Sequence, residues 1–147
     1  MPIKTFKGLL PIGVQERIHL STNDGLTGYR LNKFQLMPSQ PGINHQELIG
    51  QIFLTDQTNN ITAEIDFSNP DIIAACYFVE NPGTNVTPNV ETVFDNETFN
   101  QDIFINITDA NGGTVAANFY IELEQMKLDL NASTYITVKN IRSRTQV

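Results

Sequence analysis

Residues 115–124 alternate without a fault. Val115, Ala117, Phe119, Ile121 and Leu123 fall on one face of an extended chain, and Ala116, Asn118, Tyr120, Glu122 and Glu124 on the other. Asp109-Ala110-Asn111-Gly112-Gly113 precedes them with residues that tolerate turn angles. The period predicts a long strand within 114–130, one face in a core and the other wet. Residues 3–10 read as a first strand or an arm, stopped by Gly8 and Pro11. In 15–21, Ile18 and Leu20 oppose Arg17 and His19. Asn23-Asp24-Gly25 signals a turn before a strand over 27–37. There the apolar set changes phase from Tyr29 and Leu31 to Phe34 and Leu36, as a bulge near Asn32-Lys33 requires.

Further along, 47–54 is apolar on both faces and predicts a central strand. Residues 61–67 alternate again, with Ile61, Ala63, Ile65 and Phe67 expected inward. Ser68-Asn69-Pro70-Asp71 suggests one helical turn leading into a buried strand over 72–79. Residues 81–91 carry Pro82, Gly83 and Pro88 and read as the longest loop, followed by weak pairing over 92–95. Residues 99–108 read as a strand with Ile103, Ile105 and Ile107 in phase. Residues 132–142 read as the last strand, with Ile136 and Val138 opposite Tyr135 and Thr137. Nine or ten short strands and almost no helix predict one all-β domain over 1–147. The expected architecture is an antiparallel β-sandwich, jelly-roll-like, with an extended N-terminal arm (1–10) and a short tail (142–147). Ile65, Ile105, Phe119 and Ile121 are its expected core.

Composition narrows the function. A length of 147 residues fits about one domain with a core of its own. Hydrophobic residues are 40% and charged residues 17%, which is not a disordered composition. The net charge is −7 and the basic residues are scattered, which disfavours a nucleic-acid partner. No run matches the roughly 18 apolar residues of a membrane span, and Met1-Pro2-Ile3-Lys4-Thr5 lacks the apolar core of a signal peptide. The expectation is synthesis in a cytoplasm, with no membrane partner. Cys76 stands alone, which rules out an internal disulfide or a cysteine-based zinc site. The sequons at Asn60, Asn85, Asn96, Asn106 and Asn131 read as by-products of an Asn/Thr-rich composition.

Candidate chemistry is sparse. A hydrolytic triad would have to use His19 or His45, and neither a nucleophile elbow nor a phosphate loop is present. His19 reads as a surface histidine. His45-Gln46-Glu47 matches half of a zinc-deaminase signature whose cysteine half is missing. Cys76 reads as a buried small hydrophobe. The 109–113 segment offers oxygens to calcium but reads as a turn. Glu122, Glu124 and Asp129 read as a solvated or interface face, not as a glycosidase pair. No catalytic, cofactor-binding or metal residue is expected.

Four runs carry a resemblance: Arg17-Ile18-His19-Leu20-Ser21-Thr22-Asn23-Asp24-Gly25-Leu26-Thr27-Gly28-Tyr29-Arg30, Ala63-Glu64-Ile65-Asp66-Phe67-Ser68, Phe99-Asn100-Gln101-Asp102-Ile103, and Tyr120-Ile121-Glu122-Leu123-Glu124-Gln125-Met126-Lys127-Leu128. Together, over about residues 17–142, they resemble a family of small virion structural proteins from tailed phages of marine bacteria, cyanophages especially. The resemblance implies a capsid or tail component present in many copies and brings no functional residues. The expectation is a non-enzymatic capsid decoration (cement) protein, a homo-oligomer with a trimer as first guess. Its expected partner is the major capsid protein or another virion protein. Alternatives are a tail or adaptor component, or a carbohydrate-binding β-sandwich module, which the absence of Trp weakens. An enzyme such as a glycosidase has the least support.

Overall fold

Two antiparallel sheets lie face to face. The computed structural model describes residues 2–81, 89–93 and 98–145. In chain order the elements are β1 (Ile3–Leu10), β2 (Gln15–Ile18), β3 (Thr27–Pro38), β4 (Gln46–Phe53), β5 (Ile72–Glu80), β6 (Asn89–Val93), β7 (Thr98–Phe99), β8 (Ile103–Asp109), β9 (Ala117–Lys127) and α1 (Leu130–Thr145). One sheet runs β1-β9-β3-β7 and the other β2-β8-β4-β5-β6. β1 pairs with β9, β2 with β8, β3 with β7 and β4 with β5, all antiparallel. That nested pairing is a jelly roll, with β6 added beside β5.

The period-two signals explain the core. In β9, Ala117, Phe119, Ile121 and Leu123 are buried while their neighbours stay partly open. In β3 the register slips between Leu31 and Lys33. The bulge lets Tyr29 and Leu31, then Phe34 and Leu36, all face inward. From the other sheet come Leu48, Ile52, Ala74, Cys76, Ile105 and Ile107. Gly50 lets the layers approach: a Cβ there would lie 2.7 Å from Phe34 Cζ.

Several expectations are corrected. Residues 61–67 join no sheet. Side chains close local turns along that segment instead: Thr58 N donates to Asp56, Glu64 N to Thr62, Ser68 N to Asp66 and Asp71 N to Asn69. Ile65 and Phe67 are consequently exposed, at 37% and 54%, whereas Ile105, Phe119 and Ile121 are core as expected. Asn69–Asp71 form turns and not a helical turn before β5.

Residues 132–142 are helical. Asp129 caps α1, its Oδ1 accepting from Ala132 N at 2.7 Å. The expected strand 99–108 is broken between β7 and β8, because Asn100 and Asp102 turn their side chains to other elements. Of the two readings of 3–10, the strand is observed with the expected bounds, a sheet edge registered with β9 from Ile3 to Leu10, in place of an extended arm. Residues 142–145 of the expected tail lie in α1. In the 81–91 loop, 89–91 already belong to β6, and of 92–95 Thr92 and Val93 pair with β5; 82–88, 94–97 and 146–147 lie outside the described residues.

Candidate functional site

Asp102, which sits between β7 and β8 and is 1% exposed, is the centre of a buried polar junction. Its Oδ1 accepts from Leu20 N at 2.7 Å and Ser21 N at 2.9 Å. Its Oδ2 accepts from Arg17 Nε and Nη2, both at 2.7 Å. Burial works to raise its pKa, but the Ser21 and Leu20 amides and the Arg17 guanidinium outweigh it and hold the carboxyl well below the usual range. Arg17 also lies over the Phe104 ring, 5.8 Å from its centre. His19 Nδ1 is 3.4 Å from Asp102 Oδ2, and its side chain is 78% exposed. The carboxylate ties the end of β2 to the start of β8. With a guanidinium and two backbone amides on it, it has no proton to exchange near neutral pH.

A second polar junction docks the helix. Asn100, fully buried, donates from Nδ2 to Thr137 Oγ1 at 2.7 Å and to Gly25 O at 3.0 Å. Ser133 Oγ donates to the same carbonyl at 2.7 Å. Gly25 has φ +67, and a Cβ there would meet Ser133 Oγ at 3.1 Å, which accounts for glycine in that turn.

The other sequence candidates are dispersed. His45 Nε2 lies 3.5 Å from Glu47 Oε1 at the mouth of β4, far along the chain and the sheet from His19. Cys76 is fully buried in the core, and burial pushes its thiol up to about 11. Asp109 Oδ1 accepts from Glu47 N at 3.1 Å and Asn111 N at 2.9 Å, so the 109–113 segment is a turn stapled to β4. Asp129 is the helix cap, away from Glu122 and Glu124 on β9. Among the described residues no group of three or more acidic, histidine or cysteine side chains is placed to hold a metal ion. Of the sequons, Asn106 is buried within β8 at 1% exposure, whereas Asn60 and Asn131 are exposed.

Two surfaces remain. The outer face of β1-β9-β3 is open, and the register sets its side chains in rows. Ile3, Glu124 and Arg30 form one row, and Thr5, Glu122 and Lys33 the next. Lys7, Tyr120 and Gln35 follow, then Leu9, Asn118 and Met37. Charge therefore gives way to apolar surface along the strands, and Leu9 and Met37 are 57% and 61% exposed. The outer face of the second sheet is instead covered by 54–71. Gln51 holds that cover from below, donating from Nε2 to Thr62 O and Glu64 O, each at 3.1 Å. Phe53, Ile72 and Ala75 form a small apolar cluster there. Beside them is a polar cavity of about 400 Å³. Sequence reading missed this cavity because Gln51 and Asn106 sit on strands, where alternation marks them only as outward-facing, and its other amides lie in the 54–71 segment. Comparison with protein-family models, with curated proteins and with solved structures gives no match to this chain.

Proposed function

We propose that this chain is a non-enzymatic virion structural protein, a capsid decoration or cement protein that binds the major capsid protein of a phage head as a homo-oligomer. The observation that carries the reading is the one-sided cover of the sandwich. The chain folds 54–71 over one sheet and leaves the other bare, with the long edge strand β1 beside it. The bare face grades from Glu, Arg and Lys at one end to Leu9 and Met37 at the other. A face with exposed apolar side chains beside charged ones offers a partner protein both kinds of contact. Jelly rolls recur in viral shells, which supports the reading by fold analogy alone. The resemblance of the 17–30, 63–68, 99–103 and 120–128 runs to marine phage structural proteins supports it from sequence.

The test is to locate the chain on purified particles by cryo-EM and to measure particle opening with and without it. A protein that binds the closed shell better than the open one stabilises it by mass action. Complete particles are expected to open at higher temperature than depleted ones. Leu9→Lys combined with Met37→Lys is expected to lower occupancy while the free protein stays folded. Density on the tail alone would replace the cement reading with an adaptor one. Full occupancy by the double variant would remove the open face as the contact.

A further inference from the structure

The cavity under 54–71 is a built pocket that the cement reading does not use. We infer that it binds a small neutral saccharide, one or two sugar units. Its floor is made by neighbouring strands: Gln51 of β4 stands in register with Asn106 of β8, and Phe53 follows on the same face of β4. Gln51 is 2% exposed and Asn106 is 1% exposed. The Nε2 of Gln51 is committed to the two loop carbonyls above it. Asn106 Oδ1 is buried and has no donor. A buried carbonyl oxygen without a partner is uncommon and calls for an explanation. Asn106 lines the cavity, and a turn of its amide towards the cavity brings that oxygen to a ligand hydroxyl, which supplies the missing hydrogen.

The lining selects the ligand class. Glu64, Asp66 and Asp71 stand around the cavity, and none of its described lining residues is Lys or Arg. Phosphates and acidic sugars therefore meet like charge. Glu64 and Asp66 are exposed at the rim, and the half-buried Asp71 accepts from Thr55 Oγ1 at 3.3 Å, so the strand floor of Gln51, Phe53 and Asn106 is amide and aromatic surface. An organic cation would be drawn to the rim, but burying it against the neutral floor would be costly. A sugar suits both parts: its hydroxyls donate to amide and carboxylate oxygens, and a C–H face lies against an aromatic ring. A volume of about 400 Å³ falls in the range of roughly 300–1,000 Å³ for small-molecule sites. Phe53 is the one aromatic ring among the described lining residues, which matches one or two units and not a long chain.

The inference is independent of the cement reading and is tested on the whole chain by NMR. The probes are glucose, galactose, mannose, N-acetylglucosamine, lactose and cellobiose, with spermidine as the cationic comparison. At least one sugar is expected to move the side-chain amide signals of Asn106 and Gln51 and the backbone amides of 62–66 in a saturable way. Glu64→Ala, at the exposed rim, is expected to weaken that binding roughly tenfold, the effect of losing one well-placed hydrogen bond. Asn106→Ala is expected to abolish it, with the spectrum checked for a folded chain. No response to any of the six sugars would overturn the inference, as would saturable shifts with spermidine alone. Sugar shifts that Glu64→Ala leaves unchanged would do the same.

Discussion

Replacing Asp102 by Asn keeps the shape of the side chain and removes its charge. Four donors converge on the carboxylate, two from Arg17 and two from the backbone at Leu20 and Ser21. An amide offers one acceptor oxygen, so one pair of donors must face an NH2. If the oxygen stays on the backbone amides, Arg17 loses its partner. Its side chain is 52% exposed and rehydrates, so this arrangement costs about 2 kcal/mol, the lower part of the range for charge-assisted bonds. The opposite flip strands two N–H groups and costs more, so the first sets the loss. Asp102→Ala removes both sets and is expected to cost about 3–5 kcal/mol.

The pH dependence separates a charge effect from a packing effect. The folded-state pKa of Asp102 is depressed, so its contribution is complete above the ordinary aspartate range near about pH 4. It declines as pH falls below that towards the folded value. The Asn variant has no such titration. The gap in unfolding free energy between wild type and Asp102→Asn is therefore expected to shrink between about pH 5 and pH 3 in urea titrations. A gap that stays constant, or a loss under about 0.5 kcal/mol at pH 7, would refute the ionised hub.

Gly50→Ala places a methyl against Phe34 and Leu36 and is expected to cost roughly 1–3 kcal/mol in a denaturant titration; a neutral result would mean that the sheets part freely. Cys76, fully buried with a raised pKa, is expected to resist iodoacetamide at pH 8 and to react only on unfolding; labelling of the native chain at the rate of a free thiol would contradict this. Deleting residues 2–10 removes β1, which pairs with β9 throughout. The truncated chain is expected to aggregate or to melt well below the full chain, because β9 becomes a bare edge; an unchanged melting temperature would restore the picture of a dispensable arm.

What was legible in the sequence follows from where each element buries its surface. β9 and the two halves of β3 each have one wet and one buried face, so alternation and the bulge both showed. α1 was misread for the opposite reason. It docks through Ser133, Thr137 and Asn140, a polar stripe at helical spacing, so no apolar helical period was there to find. Its β-branched Thr134, Ile136, Thr137 and Val138 then imitated a strand, although Asp129 as a cap was visible. Residues 61–67 failed in another way. Alternation there has no ladder behind it, and the informative signal was the Asp, Thr and Asn residues two positions before each closing amide. The cavity depends on Gln51 and Asn106 standing side by side from strands distant in sequence, which register alone reveals.

Gln51 serves both the cover and the cavity of the second sheet. One buried amide holds Thr62 and Glu64 down, and with them the cover that closes one sheet face and roofs the cavity. Gln51→Ala deletes two hydrogen bonds to backbone carbonyls, a local loss of roughly 2 kcal/mol. The core between the sheets does not involve this side chain, so the loss is expected to appear as loosening of 54–71 while the sandwich persists. Hydrogen exchange read by mass spectrometry should speed up in peptides covering 54–71 and stay unchanged in those of β3 and β9. The uncovered Phe53, Ile72 and Ala75 should then give the variant a second sticky face and a concentration-dependent mass in solution. Unchanged exchange in 54–71 would show that the turn bonds of that segment, and not Gln51, keep the second sheet covered.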